Sequence, residues 1–176
     1  MAACQLGPDE LKYGGVTWIR YDAAAIEIAE PGEHVITVAG REDGAVLHQI
    51  VLVQSDAAEN IEFRNGVLLQ ESNRDELTAS FGEYVEIGGK VLIDTADALE
   101  NSEYACTMAG TDVSDDHRWV KSVDGDGMQV YPDTGKNWSN AGVGPYMSFR
   151  VNFTTAGTYY IYALTSHPDM NGDSFF

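Results

Sequence analysis

The sequence is poor in positive charge. Its 176 residues contain 10 Lys and Arg against 28 Asp and Glu, which gives a formal net charge of −18. Such a surface repels polyanions and anionic lipid, so we expect neither nucleic acid nor a membrane as a partner. The acidity itself indicates high solubility, adaptation to salt or the binding of cations.

The sequence also has little cysteine and no long apolar run. Cys4 and Cys106 are the two cysteines, and they form neither a disulfide framework nor a metal-ligand spacing; whether they pair stays open. The sequence has no run of about 18 apolar residues, so we predict no transmembrane helix. The N-terminal residues lack the basic and apolar regions of a signal peptide, so localisation stays open.

The sequence is rich in short segments of β-branched and aromatic residues, separated by turn signals. In the segment 146–153 apolar and polar residues alternate, which is typical of a strand with one buried face. Asn65-Gly66 predicts a hairpin, and 72–81 predicts one or two helical turns. The remaining predicted strands are 16–21, 25–29, 34–40, 48–54, 84–96, 117–122, 128–131 and 158–166. This pattern predicts an all-β fold, a β-sandwich, in a single domain over 1–176.

The aromatic residues within these segments divide into core and surface candidates. Trp18 and Trp119 lie inside strand patterns and are expected in the core. Tyr159, Tyr160 and Tyr162 lie in one predicted strand. We expect Tyr160 to face the opposite way from the other two.

Two stretches resemble a known family. "IEIAEPGEHVITVAGREDGAVLHQIVLVQSD" resembles the closing part of jelly-roll accessory modules of polysaccharide-degrading enzymes. These include the C-terminal domain of family 115 glycoside hydrolases and family 6 and 35 carbohydrate-binding modules. "VLIDTADALENS" and the stretches 117–138 and 144–176 resemble the opening part of the same modules. The "REDGA" turn and "TTAGTYY" are the most specific pieces, and the resemblance covers roughly two thirds of the chain.

The order of the two parts is reversed. The closing half (13–55) precedes the opening half (85–176), with 56–84 as a linker or hairpin between them. Either the chain is a circular permutant of the jelly roll, or it is a fragment of a tandem array. We favour a permuted single domain, because a fragment leaves two half-cores unburied, whereas neighbouring termini tolerate permutation.

The stretch "DGDGMQVYPDTGKNW" (124–138) is the candidate site. Tyr131 and Trp138 can serve as exposed platforms for a sugar ring, with Asn137 and Asp133 as hydrogen-bonding partners. In the tail, Asn171 and Asp173 can add further polar contacts. The structural alternative is that both rings pack against the sandwich as part of a long connection.

Calcium is the one cofactor that the sequence suggests. Asp124 and Asp126 resemble the oxygen-rich start of a calcium loop, but Gly135 stands where an EF-hand needs Glu, so only a non-standard site is open. The resemblance implies a second calcium site at Asp94, Ala96 and His48. Two of these three lack a carboxylate, so we do not expect that site intact.

These observations favour a non-catalytic module that binds a polysaccharide or oligosaccharide through exposed aromatic residues. The sequence contains no nucleophile elbow, no HExxH motif and no phosphate loop, the motifs that would predict an enzyme. The resemblance implies a bacterial, secreted protein. One alternative is a structural or assembly β-sandwich without a sugar site, and another is a fragment of a glycan hydrolase.

Overall fold

The computed structural model describes residues 16–60, 84–97, 105–108, 116–167 and 175–176. These residues form two sheets in which all but one of the strand pairs are antiparallel, so the protein is an all-β sandwich, as the sequence predicts. A 3₁₀ helix spans Ser55–Asn60, and no helix of the described ranges is long and apolar enough to cross a membrane. The strands are β1 (Val16–Ile28), β2 (Gly32–Ala39), β3 (Val46–Gln54), β4 (Tyr84–Val85), β5 (Lys90–Asp94), β6 (Ala105–Met108), β7 (Arg118–Lys121), β8 (Met128–Tyr131), β9 (Tyr146–Phe153) and β10 (Gly157–Ser166).

The larger sheet is built around β3. Its strand order is β1-β10-β3-β8-β7. One edge of β3 pairs with β10. The opposite edge is shared, because Val46 and Leu47 pair with β8 while the segment from Gln49 to Val53 pairs with β5. This sharing places the turn before β8 beside the end of β5, at Asp94.

The smaller sheet is built around β9. β2 pairs antiparallel with one edge of β9 along its whole length. The other edge pairs antiparallel with β6 and, over two residues, parallel with β4. β9 has a strictly alternating burial pattern, which matches the alternation in its sequence.

The core lies between the two sheets and draws on both halves of the sequence. Leu47 and Ile50 come from the first half, and Phe149, Phe153 and Tyr159 come from the second; all five are at least 98% buried. The Phe153 and Tyr159 rings meet edge to face, with centroids 4.8 Å apart. Burying each such side chain stabilises the fold by about 1.5–3 kcal/mol, so neither half has a complete core alone.

Some predicted boundaries were wrong. The segments 16–21 and 25–29 form one strand, β1, with a register shift between Tyr21 and Ile26. The segment 84–96 is divided by a turn at Gly88 and Gly89, whose φ angles of 59° and 79° are positive and suit glycine. The hairpin predicted at 65–66 and the helical turns at 72–81 lie outside the described residues.

Two aromatic residues, Trp18 of β1 and Tyr162 of β10, lie on a different face of the sheet from the one expected. Trp119 is in the core as predicted, but Trp18 packs on the outer face of the larger sheet, in a second apolar cluster. The Arg20 guanidinium lies 4.3 Å from the Tyr160 ring centre and 6.0 Å from that of Tyr162. Tyr160 and Tyr162 therefore share one face, because side chains two positions apart in a strand point the same way.

A buried carboxylate, that of Glu86, connects the turn between β4 and β5 to the residue that follows β9. Glu86, which follows β4, accepts hydrogen bonds from the backbone and side chain of Thr154 and from the Gly89 amide. Burial raises the pKa of Glu86, but these hydrogen bonds lower it more, so its pKa lies below the usual value. Burial and the nearby charge of Glu86 raise the pKa of Tyr159 to about 12.

Candidate functional site

The candidate loop, residues 131–138, is fastened to the turn that follows β2. This turn, residues 41–44, belongs to the first half of the sequence, and the loop belongs to the second. Three backbone hydrogen bonds join them: Gly44 N–H to Val130 O (3.0 Å), Asp43 N–H to Lys136 O (3.1 Å) and Trp138 N–H to Arg41 O (2.8 Å). Both ends of the loop are therefore fixed by the backbone of the turn.

Asp43 is the centre of this contact, and its side chain is fully buried. Its Oδ2 accepts hydrogen bonds from the Thr134 amide (2.7 Å), the Thr134 hydroxyl (3.0 Å) and His117 Nε2 (3.0 Å). Its Oδ1 is also buried, and no donor lies within hydrogen-bonding geometry of it. Asp43 is thus a buried acceptor around which the loop folds.

The charge of Asp43 is stabilised by its donors. Burial raises the pKa of this carboxyl, but hydrogen bonds from the amides of Thr134 and Lys136 and from the side chains of Thr134 and His117 outweigh that effect. The pKa of Asp43 therefore lies below its usual value, and the group is ionised at neutral pH. A buried carboxylate with several donors fixes the conformation of the loop.

The group Asp43, His117 and Thr134 has the residue types of a hydrolase triad but a different geometry. His117 Nε2 lies 3.0 Å from Asp43 Oδ2 and 3.3 Å from Thr134 Oγ1. In a triad the carboxylate and the nucleophile occupy opposite ring nitrogens, so that one nitrogen can take the proton of the nucleophile while the other donates to the carboxylate. Here both occupy one nitrogen, and this arrangement can hold the loop but cannot activate the Thr134 hydroxyl by that mechanism.

The expected exposure of Trp138 is wrong. Its side chain is only 4% exposed, and it belongs to the main core cluster. The indole ring meets the His117 ring edge to face, with centroids 5.2 Å apart. A Cβ on Gly144 would lie 2.7 Å from the indole, so the backbone itself closes over the ring. Trp138 is a structural anchor of the loop and cannot stack on a sugar in this conformation.

Tyr131 has the exposure that a platform needs. Its side chain is 51% exposed, and it ends β8 opposite Arg118 of β7, which is also exposed. Asp133 and Asn137 are exposed on the same loop. A Cβ on Gly44 would lie 2.8 Å from the Asp133 carboxyl carbon, so this carboxyl lies against the glycine and leaves no room for a side chain there.

The loop therefore presents one ring, two polar side chains and, from the neighbouring strand, one guanidinium. Asn137 is held in place by a backbone bridge to Glu42. Asn171 and Asp173, the other predicted polar partners, lie outside the described residues.

The predicted metal residues lie in the turn before β8. Both Asp124 and Asp126 are exposed. His48 Nδ1 lies 3.1 Å from the Asp126 carbonyl oxygen and 3.3 Å from its carboxylate, so the turn is fastened to β3. Within the described ranges, no group of three or more His, Cys, Asp or Glu side chains could hold a metal ion.

The three positions of the second calcium site, Asp94, Ala96 and His48, lie on or next to the paired strands β3 and β5. Gln49, next to His48, faces Asp94 across β3 and β5. His48 is engaged with Ser166 at 2.9 Å through Nε2, and the Asp94 carboxylate accepts the Asp97 amide at 3.3 Å. Ala96 is buried and offers no side-chain ligand.

Sequence reasoning missed the buried group around Asp43. The "REDGA" turn that contains Asp43 stood out as a specific piece of the sequence, and this was the available signal. His117 and Thr134 belong to no motif, because their role depends on a contact between segments about 74 and 91 positions apart. No family model, no curated protein and no solved structure matches this chain.

Proposed function

We propose that the protein binds a polysaccharide or oligosaccharide through the loop 131–138, and that it does so without catalysing a reaction. The observation that carries the proposal is the half-exposed ring of Tyr131 on a loop that buried Asp43 holds in place. Aromatic rings stack on the apolar C–H faces of sugars, and binding loops are placed on rigid scaffolds. A loop that is already ordered loses less conformational entropy on binding.

The polar side chains on the same loop and the arginine opposite Tyr131 suit the hydroxyl groups of a sugar. Asp133 and Asn137 supply acceptors and a donor from the loop, and Arg118 supplies donors from β7. The net charge of −18 disfavours an anionic glycan. We therefore infer a neutral glycan as the ligand class.

The test compares Tyr131→Ala with Tyr160→Ala, the same substitution at a partly exposed tyrosine on the outer face of the larger sheet. Each variant and the unchanged protein are measured for retention on insoluble xylan, cellulose and agarose, and for thermal melting. Loss of a stacking ring costs about 1–3 kcal/mol of binding, so Tyr131→Ala should weaken retention about 5- to 150-fold with little change in melting temperature. Tyr160→Ala should bind as the unchanged protein does.

The other outcomes separate the alternatives. Loss of binding in Tyr160→Ala alone would move the site to the outer face of the larger sheet. Equal binding by all three proteins would contradict a role for Tyr131, and no retention of the unchanged protein on any of these glycans would favour an assembly module. Release of soluble sugars would indicate a hydrolase.

A further inference from the structure

His48 of β3 lies between an acidic turn and a serine on the neighbouring strand. Its Nδ1 is 3.1 Å from the Asp126 carbonyl oxygen and 3.3 Å from the Asp126 carboxylate. Its Nε2 is 2.9 Å from the Ser166 hydroxyl. The carboxylate and the hydroxyl therefore occupy opposite nitrogens of one ring. The group around Asp43 lacks this arrangement, because both of its partners contact a single nitrogen.

These contacts fix the position of the proton on the neutral His48 ring. A carbonyl oxygen and a carboxylate only accept hydrogen bonds, so Nδ1 carries the proton. Nε2 then has the lone pair, and the Ser166 hydroxyl donates to it. A hydroxyl that donates to an imidazole, whose other nitrogen is oriented by a third group, is the arrangement of an activated nucleophile.

A β-bulge in β3 sets the direction of His48. The pairing of β3 with β10 skips His48, because its two neighbours, Leu47 and Gln49, face consecutive residues of β10. A bulge of this kind re-aims a side chain and is common beside active sites. The buried Thr95 hydroxyl contacts the carbonyl oxygens of Leu47 and His48 at 2.5 Å and 3.0 Å. The bulge is therefore held in place from the neighbouring segment.

The turn before β8 places Asp126 against the ring. Two backbone hydrogen bonds close this turn, from Ser122 N–H to Gly127 O (2.8 Å) and from Gly125 N–H to Ser122 O (2.9 Å). A Cβ on Gly127 would lie 3.0 Å from His48 Nδ1. Glycine at this position lets the backbone approach the ring closely, and this approach brings the Asp126 carbonyl to Nδ1.

The three groups differ in burial. The His48 side chain is 5% exposed, and the Asp126 side chain is 54% exposed. Ser166 is half-buried. The base is thus shielded from bulk water, while the residue that carries the hydroxyl reaches the surface. A small molecule can approach that hydroxyl, whereas a bulky one is hindered.

We propose that Ser166 is a nucleophile activated by His48, and that this site cleaves a small, neutral carboxylic ester. The Ser166 oxygen attacks the ester carbonyl carbon while its proton passes to His48 Nε2. The bond to the alcohol oxygen then breaks, and this oxygen takes the proton from Nε2, which leaves an acyl-serine and a free alcohol. Water, deprotonated by Nε2, hydrolyses the acyl-serine and regenerates the hydroxyl. The net charge of −18 disfavours an anionic ester.

This site is separate from the loop that we propose to bind a glycan. Ser166 ends β10 and His48 lies in β3, whereas Tyr131 ends β8. Glycan binding at the loop involves no reaction, and the ester reacts at the serine. Loss of either property should therefore leave the other unchanged.

The test uses p-nitrophenyl acetate as the ester. Release of p-nitrophenol is followed by absorbance, and the acetylated residue is located by mass spectrometry after acid quenching. We expect acetyl on Ser166 of the unchanged protein, and release by Ser166→Ala at the rate of the uncatalysed background. Ser148→Ala is the matched control, because Ser148 is also a half-buried strand serine but lies 3.1 Å from the Thr37 hydroxyl. Ser148→Ala and Tyr131→Ala should both react as the unchanged protein does.

A second pair of variants tests the base and the group that orients it. His48→Gln keeps an amide donor but cannot take a proton, and general base catalysis contributes about 10²–10⁴-fold. We expect acetylation of Ser166 in His48→Gln to be slower by at least about a hundredfold. Asp126→Asn keeps the backbone carbonyl that accepts from Nδ1 and loses only the carboxylate. Its acetylation rate should fall by less than that of His48→Gln.

The proton position is measured on the unchanged protein from the nitrogen chemical shifts of the His48 ring. We expect the neutral ring to carry its proton on Nδ1, and Asp126→Asn to keep that tautomer. This measurement does not depend on enzymatic turnover, and it decides the role of the ring even if His48→Gln fails to fold.

Three results would overturn the proposal. The first is a neutral His48 ring with its proton on Nε2, because such a ring cannot accept the serine proton. The second is equal release of p-nitrophenol by the unchanged protein and by Ser166→Ala. The third is a folded His48→Gln that is acetylated at Ser166 as fast as the unchanged protein.

Discussion

The Asp43 carboxylate and the His117 ring, 74 positions apart in the sequence, share a 3.0 Å hydrogen bond in the interior of the sandwich. Asp43 lies in the turn after β2, and His117 lies directly before β7. The bond therefore joins the two sequence halves at the base of the loop that carries Tyr131. Because both side chains are buried, the contact is shielded from solvent and orders the loop.

Replacing Asp43 should destabilise the fold. Asp43→Asn removes the charge and leaves Thr134 and His117 with weaker or missing acceptors, and breaking a buried hydrogen-bonded pair costs about 3–5 kcal/mol. We expect a loss of about 3 kcal/mol in the free energy of unfolding, measured by denaturant titration.

The control for that variant is Asp124→Asn, the same change at an exposed position of the neighbouring turn. It should alter the free energy of unfolding by less than about 0.5 kcal/mol. If the two variants unfold alike, the buried carboxylate does not stabilise the loop.

Stability should fall in acid because two buried carboxylates are ionised in the folded state. The pKa values of Asp43 and Glu86 lie below their ordinary values of 3.8 and 4.5. A lowered folded-state pKa contributes stability that is fully present above the unfolded pKa and is lost as pH falls through the folded one. We expect the stability that these two carboxylates contribute to be fully present near pH 6 and to be lost as pH falls below about 4.5.

The acid decline can be assigned by comparing variants. Asp43→Asn should decline less steeply than the unchanged protein between about pH 4 and pH 2, since one of the responsible groups no longer titrates. Parallel curves for the two proteins would show that Asp43 does not drive the acid response.

The burial of Trp138 predicts a structural effect of its removal. Truncating a buried tryptophan to alanine costs about 3–5 kcal/mol, so Trp138→Ala should lower the free energy of unfolding by that amount. Tyr131→Ala, on the same loop but half exposed, is the matched comparison and should cost less than about 1 kcal/mol. Similar melting of both variants would contradict the structural role of Trp138.

The contrast between these two residues shows what the sequence could and could not predict. Strand alternation is local, so β9 and the all-β class followed directly from the order of apolar and polar residues. Whether a loop aromatic is exposed depends on segments distant in the sequence. Trp138 is buried because the 41–44 turn and Gly144 close over it, and no pattern within 124–138 reports that contact.

The two resembling halves present a related case. Core residues from both halves form one cluster, and strands from both halves pair. Circular permutation remains our hypothesis for the reversed order. Sequence alone could place the two segments in a single sandwich but could not give the register between them, because register is set by packing across the sheets.

The last prediction concerns Gly44 and Gly135, which both have positive φ angles, 86° and 78°. A side chain at either position is strained by about 1–2 kcal/mol. At Gly135 an added Cβ meets nothing within 4 Å, whereas at Gly44 it lies 2.8 Å from the Asp133 carboxyl. Gly44→Ala should therefore lower the free energy of unfolding by more than Gly135→Ala does, because it also displaces Asp133 and the loop.

A double-mutant cycle separates the strain from the clash. If Asp133 causes the extra cost, Asp133→Ala should recover part of it in the Gly44→Ala background, with a coupling of at least about 0.5 kcal/mol, the lower end for contacting residues. Asp133→Ala should not couple to Gly135→Ala. Additive effects in the first cycle would mean that the Asp133 carboxyl does not lie against Gly44 in solution.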